Sequence, residues 1–84
     1  MSKLTAALEF TRLVDNVATL RAPDGCPWDR EQTIDSLKPF VLEENYEVLG
    51  AIDRHDHRAL CEELGDFVFE AVFLAQLEIG RAHV

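Results

Sequence analysis

The chain has 84 residues, of which 48% are hydrophobic, so it forms at most one globular domain, residues 1–84. A domain of this size buries only about 60% of the surface of its unfolded chain, so we expect it to gain burial by pairing with another chain. Its net charge of −8 argues against a nucleic-acid polymer as partner, because such a partner requires a basic face. No apolar run approaches the roughly 18 residues that span a bilayer, and residues 1–4 do not begin a signal peptide. We therefore expect a cytoplasmic protein with no membrane partner.

The first predicted helix runs from about Leu4 to Leu20, where apolar residues recur at helical spacing. The following segment, residues 21–29, contains two prolines and an Asp-Gly pair, which predict an irregular break rather than a helix. Trp28 lies in this break, where a large aromatic side chain either fills a hole in the core or stacks on a flat group. Core filling is the more common outcome for this residue type.

Two further helices complete a predicted all-α fold. The second begins near Thr33 and runs to about Asp53, or begins only at residues 38–40, where proline fits the first turn. The third runs from about Asp56 to Leu77 and is apolar on most faces beyond Leu64, so we expect it to be buried on nearly all sides. Three helices cannot easily provide that burial. We therefore expect a partner chain or a missing fourth helix to complete the helical bundle.

Acidic residues interrupt the apolar stripes of the second and third helices. Glu44 and Glu47 are three residues apart, as are Glu63 and Asp66, so each pair shares a helix face. Unpaired carboxylates are costly to bury and repel one another. A divalent cation such as Mg²⁺ or Mn²⁺ would relieve that cost, because hard cations prefer oxygen ligands. A solvated acidic face is the alternative, and the pattern alone favours neither. The surrounding helical segments offer few basic partners: Lys38, Arg54 and Arg58.

These acids lie in motifs that resemble a known family. Glu43-Glu44-x-x-Glu47 followed by Glu63-x-x-Asp66 resembles the EExxE…ExxD signature of the all-α nucleoside triphosphate pyrophosphohydrolases. Residues 25–33, Gly-Cys-Pro-Trp-Asp-Arg-Glu-Gln-Thr, resemble the CPWD-x-EQT stretch of MazG proteins. The resemblance covers roughly residues 10–77, and the two motifs together are more specific than the acids alone.

The resemblance implies an obligate homodimer that hydrolyses a nucleoside triphosphate to the monophosphate and pyrophosphate with Mg²⁺, with Mn²⁺ as an alternative ion. It implies that Glu44, Glu47, Glu63 and Asp66 are metal ligands, of which Glu44 and Glu47 also belong to the catalytic set. Glu43 would be a third catalytic carboxylate, which either supports the metal ligands from outside the coordination sphere or helps to orient water. Four further side chains would contact the substrate: Arg21, Trp28, Arg30 and Lys38. For each of them, an ordinary packing or surface role is the alternative.

The end of the chain departs from the family's pattern. Related bundles continue with a further helix after the ExxD helix, and residues 78–84 match one reading frame of a common sequencing adapter. We therefore expect a truncated MazG-like domain whose native sequence ends near Leu77 or Glu78, with residues 78–84 as a non-native tail. The alternative to the enzyme is a non-catalytic dimerisation or metal-binding domain of a larger MazG protein.

Overall fold

The computed structural model describes residues 2–82, with the side chains of residues 2–79, and confirms the all-α fold. Within these residues there is no β-strand, and no helix is long and apolar enough to cross a membrane. The chain divides into two compact units, residues 1–32 and residues 33–84. The first unit contains α1 and α2 and the second contains α3 and α4, in the order α1 (Lys3–Arg21), α2 (Pro27–Glu31), α3 (Ile34–Asp53) and α4 (His57–Ala82).

Helix α1 is fixed at its start by a local capping interaction. The hydroxyl group of Ser2 accepts a hydrogen bond from the backbone N–H of Thr5, which satisfies one of the N–H groups that the first turn leaves unpaired. Val17 is fully buried, whereas Leu4 and Leu8 remain more than half exposed. The apolar pattern that predicts α1 therefore locates the helix correctly, although much of its apolar surface faces solvent in this chain.

The short helix α2 corrects the prediction that residues 21–29 contain no regular helix. Pro27 occupies its first position, where a proline has the required φ angle and its missing N–H is not needed. The irregular backbone is confined to residues 22–26. There Gly25 lies so close to α1 that an added Cβ would come within 2.3 Å of the carbonyl oxygen of Thr19. Trp28 is 51% exposed, so it does not fill the core.

Helix α3 begins at Ile34 because a capping box defines its first turn. The hydroxyl group of Thr33 accepts a hydrogen bond from the N–H of Ser36, and the Ser36 hydroxyl group accepts one from the N–H of Thr33. The alternative start at residues 38–40 is wrong, since Pro39 lies inside the helix. Proline at this position removes one helical backbone hydrogen bond, which the strong cap helps to offset.

The turn between α3 and α4 closes α3 with a Schellman motif. The N–H of His55 donates to Ile52 and the N–H of Asp56 donates to Ala51. His55 has a φ angle of 54°, in the left-handed region that this motif requires. The carboxylate of Asp56 then accepts from the N–H of Ala59 in the first turn of α4. The chain thus reverses direction in a few residues, and α3 packs against α4.

Helix α4 is less buried than its composition predicts. Val72 and Phe73 are buried, but Leu64, Phe67 and Val68 are 40–45% exposed. The expectation that α4 is buried on nearly all sides is therefore wrong for this chain. An apolar helix face predicts that something covers it, but does not require that the cover belong to the same chain. Helix α4 also continues past Leu77 to Ala82, and residues 83 and 84 of the predicted tail lie outside the described residues.

Candidate metal centre

The centre begins with Glu44, which lies on the buried face of α3. Leu37, Glu44 and Ala51 are seven residues apart, which is close to two helical turns, and all three are buried. Two of these positions hold apolar side chains, as expected for a helix face packed in a core. The third holds a carboxylate that is only 7% exposed.

Two acids from α4 meet Glu44. One carboxylate oxygen from each of Glu44, Glu63 and Asp66 lies within 4.8 Å of the other two. Glu63 is half-buried and Asp66 is exposed, so the group runs from the helix interface to solvent. The structure thus brings three of the four predicted ligands together. Glu47, the fourth, is exposed on α3 and lies outside the group at this separation.

No basic side chain of the described residues balances the charge of the three acids. Oε1 of Glu44 and Oε2 of Glu63 are buried and accept no hydrogen bond from any described residue. Within residues 2–79, no lysine or arginine forms an ion pair with Glu44, Glu63 or Asp66. Buried carboxylate oxygens without a donor are costly. The arrangement therefore favours either protonation of one of the carboxylates or binding of a cation.

The electrostatics of Glu44 reflect this cost. Burial, followed by the neighbouring Glu63 carboxyl group and the charges of Glu47 and Asp66, raises the pKa of Glu44 from 4.5 to about 8. Burial acts by disfavouring the ionised form, and like charges act in the same direction. Near neutral pH, Glu44 thus tends to hold a proton when no cation is present.

Glu47 is electrostatically part of the same group. Its pKa is raised mainly by hydrogen bonding to the Glu63 carboxyl group and by that group's charge. Two ionised carboxylates cannot donate to each other, so a hydrogen bond between them would require that one of them be protonated. Glu47 therefore interacts electrostatically with the group, although it is not one of the three closest acids.

The donor set fits a hard divalent cation. All the converging atoms are carboxylate oxygens, which Mg²⁺ and Mn²⁺ prefer to nitrogen or sulfur. The orphaned oxygens of Glu44 and Glu63 are available as ligands, and the exposure of Asp66 leaves a side open to a substrate. Mg²⁺ is typically held by a few carboxylates together with substrate phosphates, which matches a site that is buried on one side only.

The remaining predicted site residues are spread over both units. Glu43 and Lys38 lie on α3 and are exposed. Arg21, Trp28 and Arg30 belong to the first unit, where the Arg30 guanidinium group donates to the carbonyl oxygen of Pro23. Their proposed contacts with substrate therefore stay predictions.

The structure also shows two features that the sequence reasoning did not include in the site. One is Glu70 on α4, whose pKa is raised by burial and then by the charges of Asp66, Glu47 and Glu43. Its position four residues after Asp66 was the available signal. The other is an open groove of about 350 Å³ in the second unit, lined mostly by apolar side chains: Ile34, Lys38, Val41, Leu42, Asn45 and Leu74.

Comparison with known proteins identifies the family. Residues 32–83 match the MazG nucleotide pyrophosphohydrolase domain, which is more than half of the chain and includes every acid of the centre. The chain belongs to the MazG family. The matched residues include both helices of the hairpin that carries the acids.

Several curated relatives match most of the chain. The nucleoside triphosphate pyrophosphohydrolase/pyrophosphatase MazG of Thermotoga maritima is 47% identical over 76 residues, which cover 90% of this chain and 30% of that protein. The nucleoside triphosphate pyrophosphohydrolase of Escherichia coli K12 is 50% identical over 76 residues, covering 87% of this chain and 29% of that protein. A protein of the same name from Mycolicibacterium smegmatis is 40% identical over 73 residues, which cover 86% of this chain and 22% of that protein. This MazG-family chain therefore spans less than a third of the length of these relatives.

Proposed function

We propose that this MazG-family chain carries the divalent-cation site of a nucleoside triphosphate pyrophosphohydrolase. In this proposal Glu44, Glu47, Glu63 and Asp66 hold Mg²⁺, with Mn²⁺ as an alternative ion, and the substrate is a nucleoside triphosphate. Water attacks phosphorus, the bond to the pyrophosphate leaving group breaks, and the products are the nucleoside monophosphate and pyrophosphate.

The observation that carries the proposal is the buried, unpartnered carboxylate of Glu44 facing Glu63 and Asp66. Its burial would cost stability in a purely structural hairpin, where a leucine would continue the line from Leu37 to Ala51. A bound cation would offset that free-energy cost. The two relatives named nucleoside triphosphate pyrophosphohydrolase match most of this chain, including the segment from Glu44 to Asp66, which supports the same chemistry here.

The roles of the side chains follow from their exposure. When bound, the cation supplies positive charge that neutralises the triphosphate and assists attack by water. Glu44 and Glu63, at the buried side, would hold the ion together with Asp66 and Glu47, which are exposed and leave the solvent side accessible to phosphate oxygens. Glu43, exposed beside Glu44 in sequence, is available to orient water. Phosphoryl chemistry of this kind depends mainly on positioning and electrostatics.

The test is pyrophosphate release from a panel of NTPs and dNTPs, with and without Mg²⁺. Wild type is compared with Asp66→Asn, which removes a ligand at the exposed side, and with Asp53→Asn, which removes the same charge at the end of α3. We expect Mg²⁺-dependent release by wild type and by Asp53→Asn, and background release by Asp66→Asn with unchanged helicity. Equal release by Asp66→Asn and wild type would show that the site is misplaced.

Because the chain spans under a third of its relatives, the same panel is run on a protein extended to their length. Release by both forms would locate a working site in the described helices. Release by the longer protein alone would support the second candidate function, in which this chain is a metal-binding dimerisation domain of a larger protein.

A specific feature favours a dimerisation role in either case. Helices α3 and α4 each carry exposed apolar side chains at helical spacing, which are 40–68% exposed: Leu42, Tyr46, Leu49 and Ile52 on α3, and Leu64, Phe67 and Val68 on α4. Exposed apolar surface of this kind is typical of protein interfaces. We propose that a second copy of the chain covers the apolar face of each helix and completes the helical bundle.

Light scattering coupled to size exclusion tests the homodimer. Leu49→Glu and Val68→Glu place charges on the apolar faces of α3 and α4 and should convert a dimer to a monomer. Leu8→Glu, on the exposed part of α1, is the matched control. A wild-type mass equal to one chain, or a dimer that survives both substitutions, would contradict the proposed interface.

A further inference from the structure

Glu70 lies on the same face of α4 as two acids of the centre. It follows Asp66 by four residues and Glu63 by seven, and residues at these separations lie above one another on a helix. Its side chain is half-buried. Within residues 2–79 it forms no ion pair and no hydrogen bond through its carboxylate. A partly buried carboxylate without a partner is unusual for a residue whose only role is solubility.

The field around Glu70 comes from both helices. After burial, the groups that raise its pKa are Asp66 on its own helix and Glu47 and Glu43 on α3. Charges on α3 as well as on α4 therefore act on Glu70. Because α3 and α4 are connected by a tight turn and pack together, this position extends the row of acids along the hairpin beyond Asp66.

An independent observation points from these acids to a cation. Glu44 is only 7% exposed, and its buried Oε1 has no hydrogen-bond partner among the described residues while it faces Glu63 and Asp66. We infer that Glu70 is a positioning residue of the metal centre, whose carboxylate strengthens the hold on the divalent cation without being one of its four proposed ligands. This inference rests on the proposed function, since it requires that the four acids bind a cation.

The expected size of the effect follows from Coulomb's law. Residues four apart on a helix have Cβ atoms about 6 Å apart. One negative charge at about that distance from a divalent ion, in surroundings close to water, changes the ion's affinity by about tenfold. Glu70→Gln should thus weaken cation binding by about tenfold. Glu70→Asp keeps the charge and should restore most of the affinity.

The experiment measures binding of Mn²⁺ and of Mg²⁺ by calorimetry, without nucleotide. Wild type, Glu70→Gln and Glu70→Asp are compared with Asp53→Asn, which makes the same change in net charge at the end of α3. Circular dichroism and the unfolding midpoint of each cation-free variant show whether the fold is retained. Cation affinity is the readout that a merely structural role of Glu70 would not move.

Each outcome bears on one of the two proposals. Weaker binding by Glu70→Gln, restored by Glu70→Asp and absent from Asp53→Asn, supports the role of Glu70. Binding by Glu70→Gln within twofold of wild type overturns it and leaves the proposed function intact. Equal weakening by Glu70→Gln and Asp53→Asn also overturns it, because net charge alone would then explain the effect. Wild type that binds neither ion overturns the proposed function, and the inference with it.

Discussion

The raised pKa of Glu44 predicts an unusual dependence of stability on pH. Its pKa in the folded chain is about 8, against 4.5 for the free group, so the folded state holds a proton that the unfolded state releases. The contribution of protonated Glu44 to the stability of the fold is therefore complete below pH 4.5 and is lost as the pH rises through 8. A shift of one unit corresponds to about 1.4 kcal/mol. Solvent at the open side of the site and the interaction with Glu63 both make the change in stability smaller than the full pKa shift implies. We therefore expect the free energy of unfolding to fall by about 2 kcal/mol between pH 5 and pH 8.5.

Glu44→Gln isolates this contribution. Glutamine is similar in size and does not titrate, so the difference in free energy of unfolding between the variant and wild type should increase by about 2 kcal/mol over the same range. Urea unfolding without divalent cations at several pH values gives that difference, and Asp53→Asn controls for the change in net charge. Mg²⁺ at pH 8 should stabilise wild type by mass action and leave Glu44→Gln unchanged. A difference that stays constant from pH 5 to pH 8.5 would refute the reasoning.

Three backbone positions give further predictions, each measured by urea unfolding. Gly25→Ala should lower the free energy of unfolding by about 2–3 kcal/mol, because the new Cβ would overlap the carbonyl oxygens of Thr19 and Leu20; an unchanged midpoint would contradict the close approach. His55→Gly should raise stability by about 0.5–1 kcal/mol, since glycine adopts the left-handed conformation freely, and a loss would mean that the imidazole ring makes a stabilising contact. Gly65→Ala should raise stability by about 1 kcal/mol, because alanine favours the helix and nothing lies within 4 Å; destabilisation would indicate a neighbour at that surface.

Helix positions could be predicted closely where local chemistry sets them. Thr33 and Ser36 are three residues apart, so a capping interaction at the start of α3 can be read from the sequence, although Pro39 left a later start open. The short helix α2 was missed because the prolines were treated as helix breakers, whereas Pro27 is at the one position that favours it. The exposure of Leu64 and Phe67 could not be predicted, because periodicity identifies an apolar face but not the surface that covers it.

The residues of the candidate site could be predicted from the sequence, but the burial of their side chains could not. Spacing alone places Glu44 within an apolar stripe and pairs Glu63 with Asp66 on one face. Whether these acids meet depends on how the two helices pack, which a sequence does not state. The structure separates the nearly buried Glu44 from the exposed Glu47, a difference that their shared motif conceals. Glu70 was passed over because it lies outside the motif.

If Glu44 binds a cation as proposed, its position couples cation binding to the packing of the hairpin. Leu37 and Ala51 are buried on either side of it along the same face of α3, so α4 cannot pack against those residues without also covering the carboxylate. Packing thus costs free energy in the absence of a counter-charge, and a proton or a cation recovers it. A ligand that binds only the packed state stabilises that state in proportion to its concentration and affinity. Since protons and divalent cations compete for the same oxygens, the cation should bind more tightly as pH rises towards 8, in the range where the unliganded hairpin is losing stability. Under this proposal, the Glu44 carboxylate destabilises the hairpin when no ion is bound, and it is the group that makes the packing of α3 against α4 depend on the ion.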